Sequence, residues 1–368
     1  MKLKHLRIEN FRGVRELEID FISPVSGQPR QLTCLIGDNG SGKTTVLQAI
    51  ALVLSLATRK SPDVAGFRWY GFLPERVSTL GATRVELEIA FDDVEIRQTA
   101  ELFERWRASQ SAEWLDSHRV VEPAAHLELN LVFDGERLRC SQGYAGQNQF
   151  LGRYYIRRLL KTHPFLRDRF ANLGDVFSFD QYRNLARFAG QDPEGNDDRP
   201  PNREGWQAGV NHLRQFLVGM WGYHTSPDKS FGRDYIDPLE RKFADIFPGT
   251  RFRGIRPRDD IGTGTSPDDY YFLLEREGKV FDIAEMSSGE QAVFPLLYEF
   301  VRLEIARSIV LIDELELHLH PPQQQALLAA LPKLGPDCQF IITTHSPHLT
   351  NVIPDEEEVR LEGGVPCL

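Results

Sequence analysis

The sequence predicts an α/β fold with a buried parallel sheet, and three observations carry this prediction. A glycine-rich loop at residues 37–44 follows a short apolar strand and opens an apolar helix. Two further apolar strands, Ile309–Ile312 and Gln339–Thr343, each run directly into polar residues. Strands that are apolar throughout are typical of a parallel sheet covered on both faces. The loop and the two strand ends are therefore expected to meet at one edge of that sheet.

Composition and charge narrow the class of protein. The chain has 368 residues, of which 41% are hydrophobic and 26% charged, as in ordinary globular proteins. The net charge of −10 excludes a protein that is basic throughout, although it leaves room for a local basic patch. The longest apolar stretch, residues 46–57, is too short to cross a bilayer. The four cysteines are scattered, as expected for reduced thiols. We expect a cytoplasmic protein without membrane association.

Periodicity predicts the remaining elements. Alternating sequence predicts two strands within Leu3–Phe21, a strand at Arg84–Phe91, and hairpins at His126–Cys140 and Tyr270–Asp282. Helices are predicted over Val94–His118, Leu151–Phe170, Trp206–Met220 and Asp237–Phe247. The polar, proline-containing stretch near residues 189–205 cannot bury apolar surface, and we expect it to be a mobile loop.

The glycine-rich loop predicts nucleotide binding. Glycines let successive backbone N–H groups face an anion, and the start of the following helix adds its positive end. Lys43 is placed to reach the β- and γ-phosphates, and the Thr44 hydroxyl is placed to bind Mg²⁺. The candidate ATP-binding residues are Gly37, Asp38, Asn39, Gly40, Ser41, Gly42, Lys43, Thr44 and Thr45.

The ends of the two later strands supply candidate catalytic residues. Asp313 and Glu314 follow Ile309–Ile312 directly. Asp313 is expected to bind the Mg²⁺ and Glu314 to orient or deprotonate the attacking water. His345 follows the strand Gln339–Thr343 and is expected to meet the γ-phosphate.

A second phosphate-binding end is predicted at Ser287-Ser288-Gly289-Glu290, which precedes an apolar helix. Small residues at a helix N-terminus bind anions, but this segment carries no lysine. One nucleotide hardly needs two such ends from one chain, so we infer that this end serves a nucleotide held by another subunit. The alternative is a plain serine N-cap.

This ordered set of motifs resembles the ATPase head of the ABC superfamily, in the branch of RecF, SMC and OLD proteins. The opening Leu6–Gly13, the form of the loop at residues 37–40, and the segments Glu314–Pro321 and Thr344–Pro347 share that likeness. The chain looks in particular like compact AAA-type ATPases of bacterial defence operons, such as Septu-like systems.

The resemblance implies further roles. Ser287, Ser288, Gly289 and Glu290 would form the signature that clasps the γ-phosphate across a dimer, and Leu317–His320 would pass between the two sites. Gln181 would lie near the Mg²⁺, and Arg12 would contact nucleotide. An alternative reading makes Glu316, His318 and His320 metal ligands, although their alternation better suits a strand exit.

The resemblance also implies a domain plan: an α/β ATPase core with a mixed sheet, an antiparallel β lobe and a helical insertion. Residues 1–150 would form the N-terminal ATPase lobe, residues 151–280 the insertion, and residues 281–368 the C-terminal lobe. Prolines throughout the 243 residues between Lys43 and Met286 exclude a long coiled coil. Only 23 residues follow His345, so we expect any nuclease activity to come from a partner.

Residues 151–188 are rich in basic side chains and aromatics and form a candidate nucleic-acid or partner face. Its candidate residues are Arg153, Arg157, Arg158, Lys161, Arg167 and Arg169, with Arg183 and Arg187 beyond them. The alternative is a solvated helix face whose aromatics belong to the core.

Together these observations predict an ATPase that uses Mg²⁺ and forms a homodimer, or a higher oligomer, around ATP. The favoured role is a switch in anti-phage defence, linked to DNA or RNA, that controls an HNH-like effector nuclease. A RecF-like DNA repair ATPase is the first alternative. A transporter's nucleotide-binding subunit is the second, and the 243-residue spacing argues against it.

Overall fold

The computed structural model describes residues 1–118, 120–181, 203–228, 233–258, 266 and 269–361. The chain divides into two compact units. Unit 1 comprises Met1–Asp180, Glu304–Leu315 and Gly335–Leu368, and unit 2 comprises Gln181–Leu303 and Glu316–Leu334. Residues 151–180, expected within the helical insertion, therefore lie in unit 1. The loop predicted near 189–205 lies outside the described residues up to residue 202.

The strands, in chain order, are β1 Lys2–Phe11, β2 Val14–Asp20, β3 Leu32–Ile36, β4 Arg84–Ala90, β5 Glu128–Phe133, β6 Leu138–Cys140, β7 Val176–Phe179, β8 Arg251–Pro257, β9 Tyr270–Arg276, β10 Lys279–Asp282, β11 Ile309–Ile312, β12 Gln339–Thr343 and β13 Glu358–Arg360. The helices are α1 Lys43–Ala57, α2 Asp93–Ala108, α3 Ala112–Ser117, α4 Gly143–Gln149, α5 Gly152–Leu159, α6 Arg203–Thr225, α7 Ile236–Ile246, α8 Ser288–Arg302, α9 Pro321–Leu334 and α10 Pro347–Thr350.

Unit 1 is built on a parallel sheet with the strand order β13-β3-β12-β11-β7. Every residue of β11 and β12 is buried, which confirms the prediction from their apolar sequences. Because β12 lies between β3 and β11, the carboxyl ends of these three strands are neighbours. The register pairs Ile342 with both Ile312 and Cys34, so the residues that follow these positions emerge side by side.

The antiparallel strands of unit 1 form a separate sheet with the order β2-β1-β4-β5-β6. Strand β4 alternates as predicted, with Val85, Leu87 and Ile89 buried. Helix α1 is buried at every position from Val46 to Ala57 and packs against strands of both sheets. The longest apolar stretch is therefore a core helix of unit 1. Within the described part of the chain, no helix is long and apolar enough to span a membrane.

Two predicted helices are each interrupted. The helix expected over Val94–His118 ends at Ala108, and α3 begins after Ser111, whose hydroxyl accepts a hydrogen bond from the Trp114 amide. The helix expected over Leu151–Phe170 ends at Leu159. It cannot continue regularly through Pro164, because proline has no N–H to donate to the Leu160 carbonyl oxygen. A 3₁₀ helix, residues 164–172, follows.

Unit 2 contains the antiparallel sheet β10-β9-β8 and the helices α6 to α9. Aromatic rings from four of its elements form the core: the Phe243 ring lies 5.1 Å from that of Phe294, and the Phe252 ring lies 5.5 Å from that of Phe272. The Phe252 ring also lies 6.2 Å from that of Phe243 and 6.0 Å from that of Phe294, so α7 and α8 pack against the sheet.

A buried ion pair fixes the segment that leads into α8. Arg214 on α6 donates a hydrogen bond of 2.5 Å to Asp282, and the two side chains are only 2% and 7% exposed. Asp282 also accepts from the amides of Phe272 and Ala284, each at 3.0 Å. The carboxylate therefore joins α6, β9 and the 3₁₀ turn that precedes α8.

Replacing Arg214 with Leu should destabilise the protein by about 3 kcal/mol, because it leaves the Asp282 carboxylate buried without its counter-charge. The matched control is Arg253→Leu, which removes an exposed ion pair with Glu275 and should change the stability far less, because solvent screens an exposed pair. Urea denaturation followed by circular dichroism measures both. Equal losses in the two variants would contradict a special role for the buried pair.

Candidate functional site

The carboxyl edge of the parallel sheet in unit 1 forms a cleft of about 210 Å³. Its lining residues come from the glycine-rich loop, the start of α1, and the ends of β11 and β12: Asn39, Gly40, Gly42, Lys43, Thr44, Thr45, Asp313, Glu314, Thr343 and His345. The structure thus brings together the three sequence motifs that were predicted to meet, although 270 residues separate Lys43 from Asp313.

The loop holds its lysine in a folded-back position. The Lys43 ammonium donates to the carbonyl oxygens of Gly37 and Asp38, each at 2.9 Å, and the side chain is buried. Gly42, the N-cap of α1, has a φ of 95°, and a Cβ there would lie 3.1 Å from the Val14 side chain. Glycine therefore permits both the left-handed backbone and the close approach. The cationic group is positioned under the loop, where phosphate oxygens would be bound.

Asp313 is buried between two hydroxyl groups. The Thr44 hydroxyl donates to both carboxylate oxygens, at 3.1 and 3.0 Å. The Thr343 hydroxyl donates to Asp313 Oδ1 at 2.7 Å. These hydrogen bonds stabilise an ionised carboxylate that is only 1% exposed.

Glu314 adopts an unusual backbone conformation for a residue with a side chain. Its φ is 48°, in the left-handed region, and its amide donates to the Thr343 hydroxyl at 2.7 Å. Thr343 therefore accepts from Glu314 while it donates to Asp313. Strain of this kind in a cleft is an observation that points to function. Glu314 and the exposed His345 both line the cleft.

The donor set of the cleft fits Mg²⁺. One threonine hydroxyl and one carboxylate, from Thr44 and Asp313, lie in direct contact and offer the hard oxygen ligands that Mg²⁺ prefers. Such sites leave further coordination positions to water and to substrate phosphates. These two residues would hold the ion.

Sequence reasoning did not assign a role to Thr343. It is fully buried and ends β12, and the parallel register places it beside Asp313. Its position in the sequence was the clue to its role. Because β11 and β12 were predicted to be parallel, the residues after Ile312 and Ile342 are expected at the same edge of the sheet. A threonine at the end of an otherwise apolar strand offered that clue.

The signature segment lies in unit 2 at the start of α8. Ser287 is the N-cap and forms a capping box with Glu290, whose carboxylate accepts from the Ser287 amide at 2.8 Å. The buried Glu290 also forms an ion pair with Arg276. Ser287 and Ser288 are exposed, whereas Gly289 and Glu290 are buried. Ser287 therefore caps the helix, and the same geometry leaves Ser287 and Ser288 accessible to a phosphate. The two interpretations of this segment do not exclude each other.

Gly289 permits a close approach within unit 2. A Cβ on this residue would lie 3.0 Å from the His318 carbonyl oxygen and 3.2 Å from the Leu319 side chain. The signature thus packs directly on the loop Leu317–His320. The passage of this loop between two nucleotide sites, which the resemblance implies, stays a prediction. Among the residues that the structure describes, Glu316, His318 and His320 do not form a group with metal-ligand spacing.

Two residues suggested by the resemblance lie elsewhere than the cleft lining. The Arg12 guanidinium contacts Gln48, donates to the Gly71 carbonyl at 3.0 Å, and lies 5.4 Å from the centre of the Phe72 ring. Gln181 is a partly buried turn residue two positions after β7. Neither residue lines the cleft, and their contacts with nucleotide stay a prediction.

The basic residues of the predicted nucleic-acid or partner face differ in their exposure and in their ion pairs. Arg153 is 3% exposed and donates to the carbonyl oxygens of Leu173, Phe170 and Glu304, so it is a core residue rather than part of a surface. Arg167 and Arg169 form ion pairs with Glu304 and Glu101. Arg157, Arg158 and Lys161 are exposed, while Arg183 and Arg187 lie outside the described residues.

Comparison with known proteins agrees with this geometry. The chain is 32% identical to the Retron Vc95 probable ATPase of Vibrio cholerae, over 97% of this chain and 73% of that protein. It is 39% identical to the DNA replication and repair protein RecF of Lactococcus lactis, over 96% of this chain and 95% of that protein. Septu protein PtuA of Bacillus mycoides is 24% identical over 98% of this chain.

Several relatives are much longer than the matched region. The match spans 19% of the Retron Ec83 probable ATPase of Escherichia coli, 60% of the OLD nuclease of Thermus scotoductus and 40% of the Septu protein.

The fold resembles that of an SMC head in a crystal structure with the C-winged helix domain of ScpA. The TM-score is 0.55 at 15% identity, with 99% of this chain and 96% of that chain covered. This likeness confirms the predicted fold class, and the relatives confirm the predicted branch of RecF, OLD and Septu-like ATPases. The family described as "AAA domain, putative AbiEii toxin, Type IV TA system" matches residues 32–351, so the chain belongs to that family.

Proposed function

We propose that this protein is an ATP-hydrolysing switch that closes as a homodimer around ATP. The observation that carries the proposal is the cleft in which Lys43, Asp313 and Glu314 meet at the end of a buried parallel sheet. ATP phosphates would bind along the loop and the start of α1, where backbone N–H groups and Lys43 supply positive charge. Mg²⁺ held by Thr44 and Asp313 would neutralise charge on the β- and γ-phosphates.

Glu314 is proposed to act on the water. Its carboxylate would accept the proton of a water molecule whose oxygen attacks the γ-phosphorus, while the bond to the β,γ-bridging oxygen breaks. His345, which lines the same cleft, would donate a hydrogen bond to the γ-phosphate. The Thr343 hydroxyl is proposed to position this machinery, because it contacts both Asp313 and the backbone of Glu314.

The signature is proposed to complete the site of a second subunit. Ser287 and Ser288 are exposed at the start of a 15-residue helix, and the capping box with Glu290 fixes their backbone. A helix N-terminus with small exposed residues favours a phosphate. Because α8 brings no lysine, it would add hydrogen bonds to a nucleotide whose charge is balanced by the partner's loop.

The proposed biological role is a nucleic-acid-linked switch in anti-phage defence, acting in the cytoplasm with an HNH-like effector nuclease. Similarity to a retron ATPase and to a Septu protein supports it. A RecF-like repair ATPase is the second candidate, favoured by a match over nearly the whole length of one RecF. The genes next to this one distinguish the roles: a nuclease gene favours defence, and replication genes favour repair.

Thr343→Val should lower kcat about 10- to 100-fold and raise the Mg²⁺ concentration needed for half-maximal activity, because Asp313 and Glu314 lose a shared hydrogen bond. The affinity for ATP should change little, and Thr343→Ser should retain activity. The matched control is Thr33→Val in the adjacent strand β3, whose buried hydroxyl has no hydrogen-bond partner among the described residues. Steady-state kinetics with melting curves test the four proteins. A loss of activity in Thr33→Val equal to that in Thr343→Val would contradict the positioning role.

Glu314→Gln should bind ATP with unchanged affinity but hydrolyse it at least about 100-fold more slowly, since an amide cannot accept the proton of water. The ATP-bound dimer should then accumulate, which light scattering coupled to gel filtration would measure. The control Glu356→Gln removes an exposed carboxylate that is not part of the cleft lining and should behave as wild type. Wild-type turnover in Glu314→Gln would assign the base to another residue.

Ser287→Arg should leave ATP binding intact while hydrolysis is lost, because the bulky cation would fill the space proposed for the partner's γ-phosphate. Lys43→Ala should instead lose ATP binding. Mixing the two inactive proteins creates one composite site with an intact loop and an intact signature. Partial recovery of ATPase activity is expected. A fully active monomer of Ser287→Arg would overturn the dimer proposal, whereas failure of Lys43→Ala to weaken binding would overturn the nucleotide site itself.

A further inference from the structure

A cluster of basic side chains surrounds the carboxyl end of α1 in unit 1. We name it the basic clamp and define it by Arg59, Lys60, Arg157, Arg158 and Lys161. Four of these residues are exposed, whereas the Lys60 side chain is 25% exposed and its ammonium group lies against Asp175. The first two follow α1, and the other three lie on α5 and just beyond its end. These two segments are about 100 residues apart in the chain, and no sequence pattern joins them.

Contacts with two residues, Tyr154 and Asp175, organise the basic clamp. The guanidinium carbons of Arg59 and Arg158 lie 5.6 and 5.2 Å from the centre of the Tyr154 ring, at cation–π distance. Lys60 lies 3.1 Å from Asp175, and Arg157 lies 3.8 Å from the same carboxylate oxygen. An aromatic ring and a buried carboxylate therefore hold four cations in defined positions.

Positive charge exceeds negative charge in this cluster. Asp175 is the shared counter-ion of Lys60 and Arg157, whereas Arg59, Arg158 and Lys161 form no ion pair within the described ranges. Burial of its ammonium group lowers the pKa of Lys60 to about 8; Asp175 opposes this shift, and Arg157 reinforces it. A bound anion would relieve the repulsion among these like charges.

The backbone at Arg59 adds a second, independent observation. Arg59 has a φ of 56° directly after the C-cap Thr58, a position where helices usually carry glycine. The chain keeps a long cationic side chain there despite the strain. One cation at this point stabilises the helix end through the helix dipole, but that effect does not require the four others.

We propose that the basic clamp binds the phosphate backbone of a nucleic acid. Guanidinium and ammonium groups held at several points match a chain of phosphates, and they place positive charge locally on a protein whose net charge is −10. The inference deepens the nucleic-acid link of the proposed function and places the contact at the end of the helix that begins with Lys43. It does not depend on ATP hydrolysis, so either proposal can fail alone.

The test measures binding of fluorescein-labelled 30-nucleotide single-stranded and duplex DNA, and of the corresponding RNA, by anisotropy between 50 and 300 mM NaCl. The wild type should bind with an affinity that falls steeply with salt. The triple variant Arg59→Gln, Arg158→Gln, Lys161→Gln should bind at least about tenfold more weakly, and its log–log salt slope should be shallower by about 2 to 3.

The matched control is the double variant Arg167→Gln, Arg169→Gln, whose guanidinium groups are already paired with Glu304 and Glu101. It should retain the wild-type slope. Melting curves and ATP affinity check that each variant is folded. The proposal is overturned if the wild type binds none of these nucleic acids, if the control loses as much as the triple variant, or if only an acidic polymer such as polyglutamate binds to the clamp.

Discussion

The buried carboxylate of Asp313 is the group on which the candidate site depends. Two threonine hydroxyls hold it, one from the start of α1 and one from the end of β12. This arrangement requires β3, β12 and β11 to lie side by side in one parallel register, because a shift of one residue would turn Thr343 away from Asp313. The apolar interior of the sheet therefore does more than stabilise unit 1. It aligns the ends of β11 and β12 and the start of α1 to within hydrogen-bonding distance.

The same contact offsets strain at Glu314. A left-handed conformation costs a residue with a side chain about 1 to 2 kcal/mol, and the hydrogen bond from its amide to Thr343 returns about 1 kcal/mol. The two effects are of similar size, so the conformation persists in a site that is otherwise well fixed. Because of this left-handed conformation, the chain turns away from the axis of β11 at Glu314, and Glu314 lines the cleft. One hydroxyl group therefore both aligns Asp313 and offsets the strain at Glu314.

Local patterns in the sequence predicted the parts of the fold that local physics determines. The glycine-rich loop and the apolar strands β11 and β12 fall where expected, since composition alone distinguishes them. Strand β8 was not predicted, because its arginines and terminal proline obscure the alternation and its register shifts at a bulge between Phe252 and Gly254. Arg153 looked like a surface cation, and only the tertiary contacts reveal that it saturates three backbone carbonyls in the core. Thr343 could not be recognised without the register.

The positions of the charged side chains likewise depend on tertiary contacts that the local sequence does not reveal. The arginines between residues 153 and 169 lie on α5 and on the 3₁₀ helix that follows it, and together they suggest one basic face. The surroundings of each arginine nevertheless depend on which carboxylate or carbonyl the fold brings near it. Glu304 and Glu101 neutralise two of them, whereas the end of α1 adds two cations from a distant part of the chain. An acidic protein can therefore present a concentrated positive surface without any basic domain. Such a surface is a property of the tertiary structure, and a count of basic residues along the sequence does not reveal where it lies.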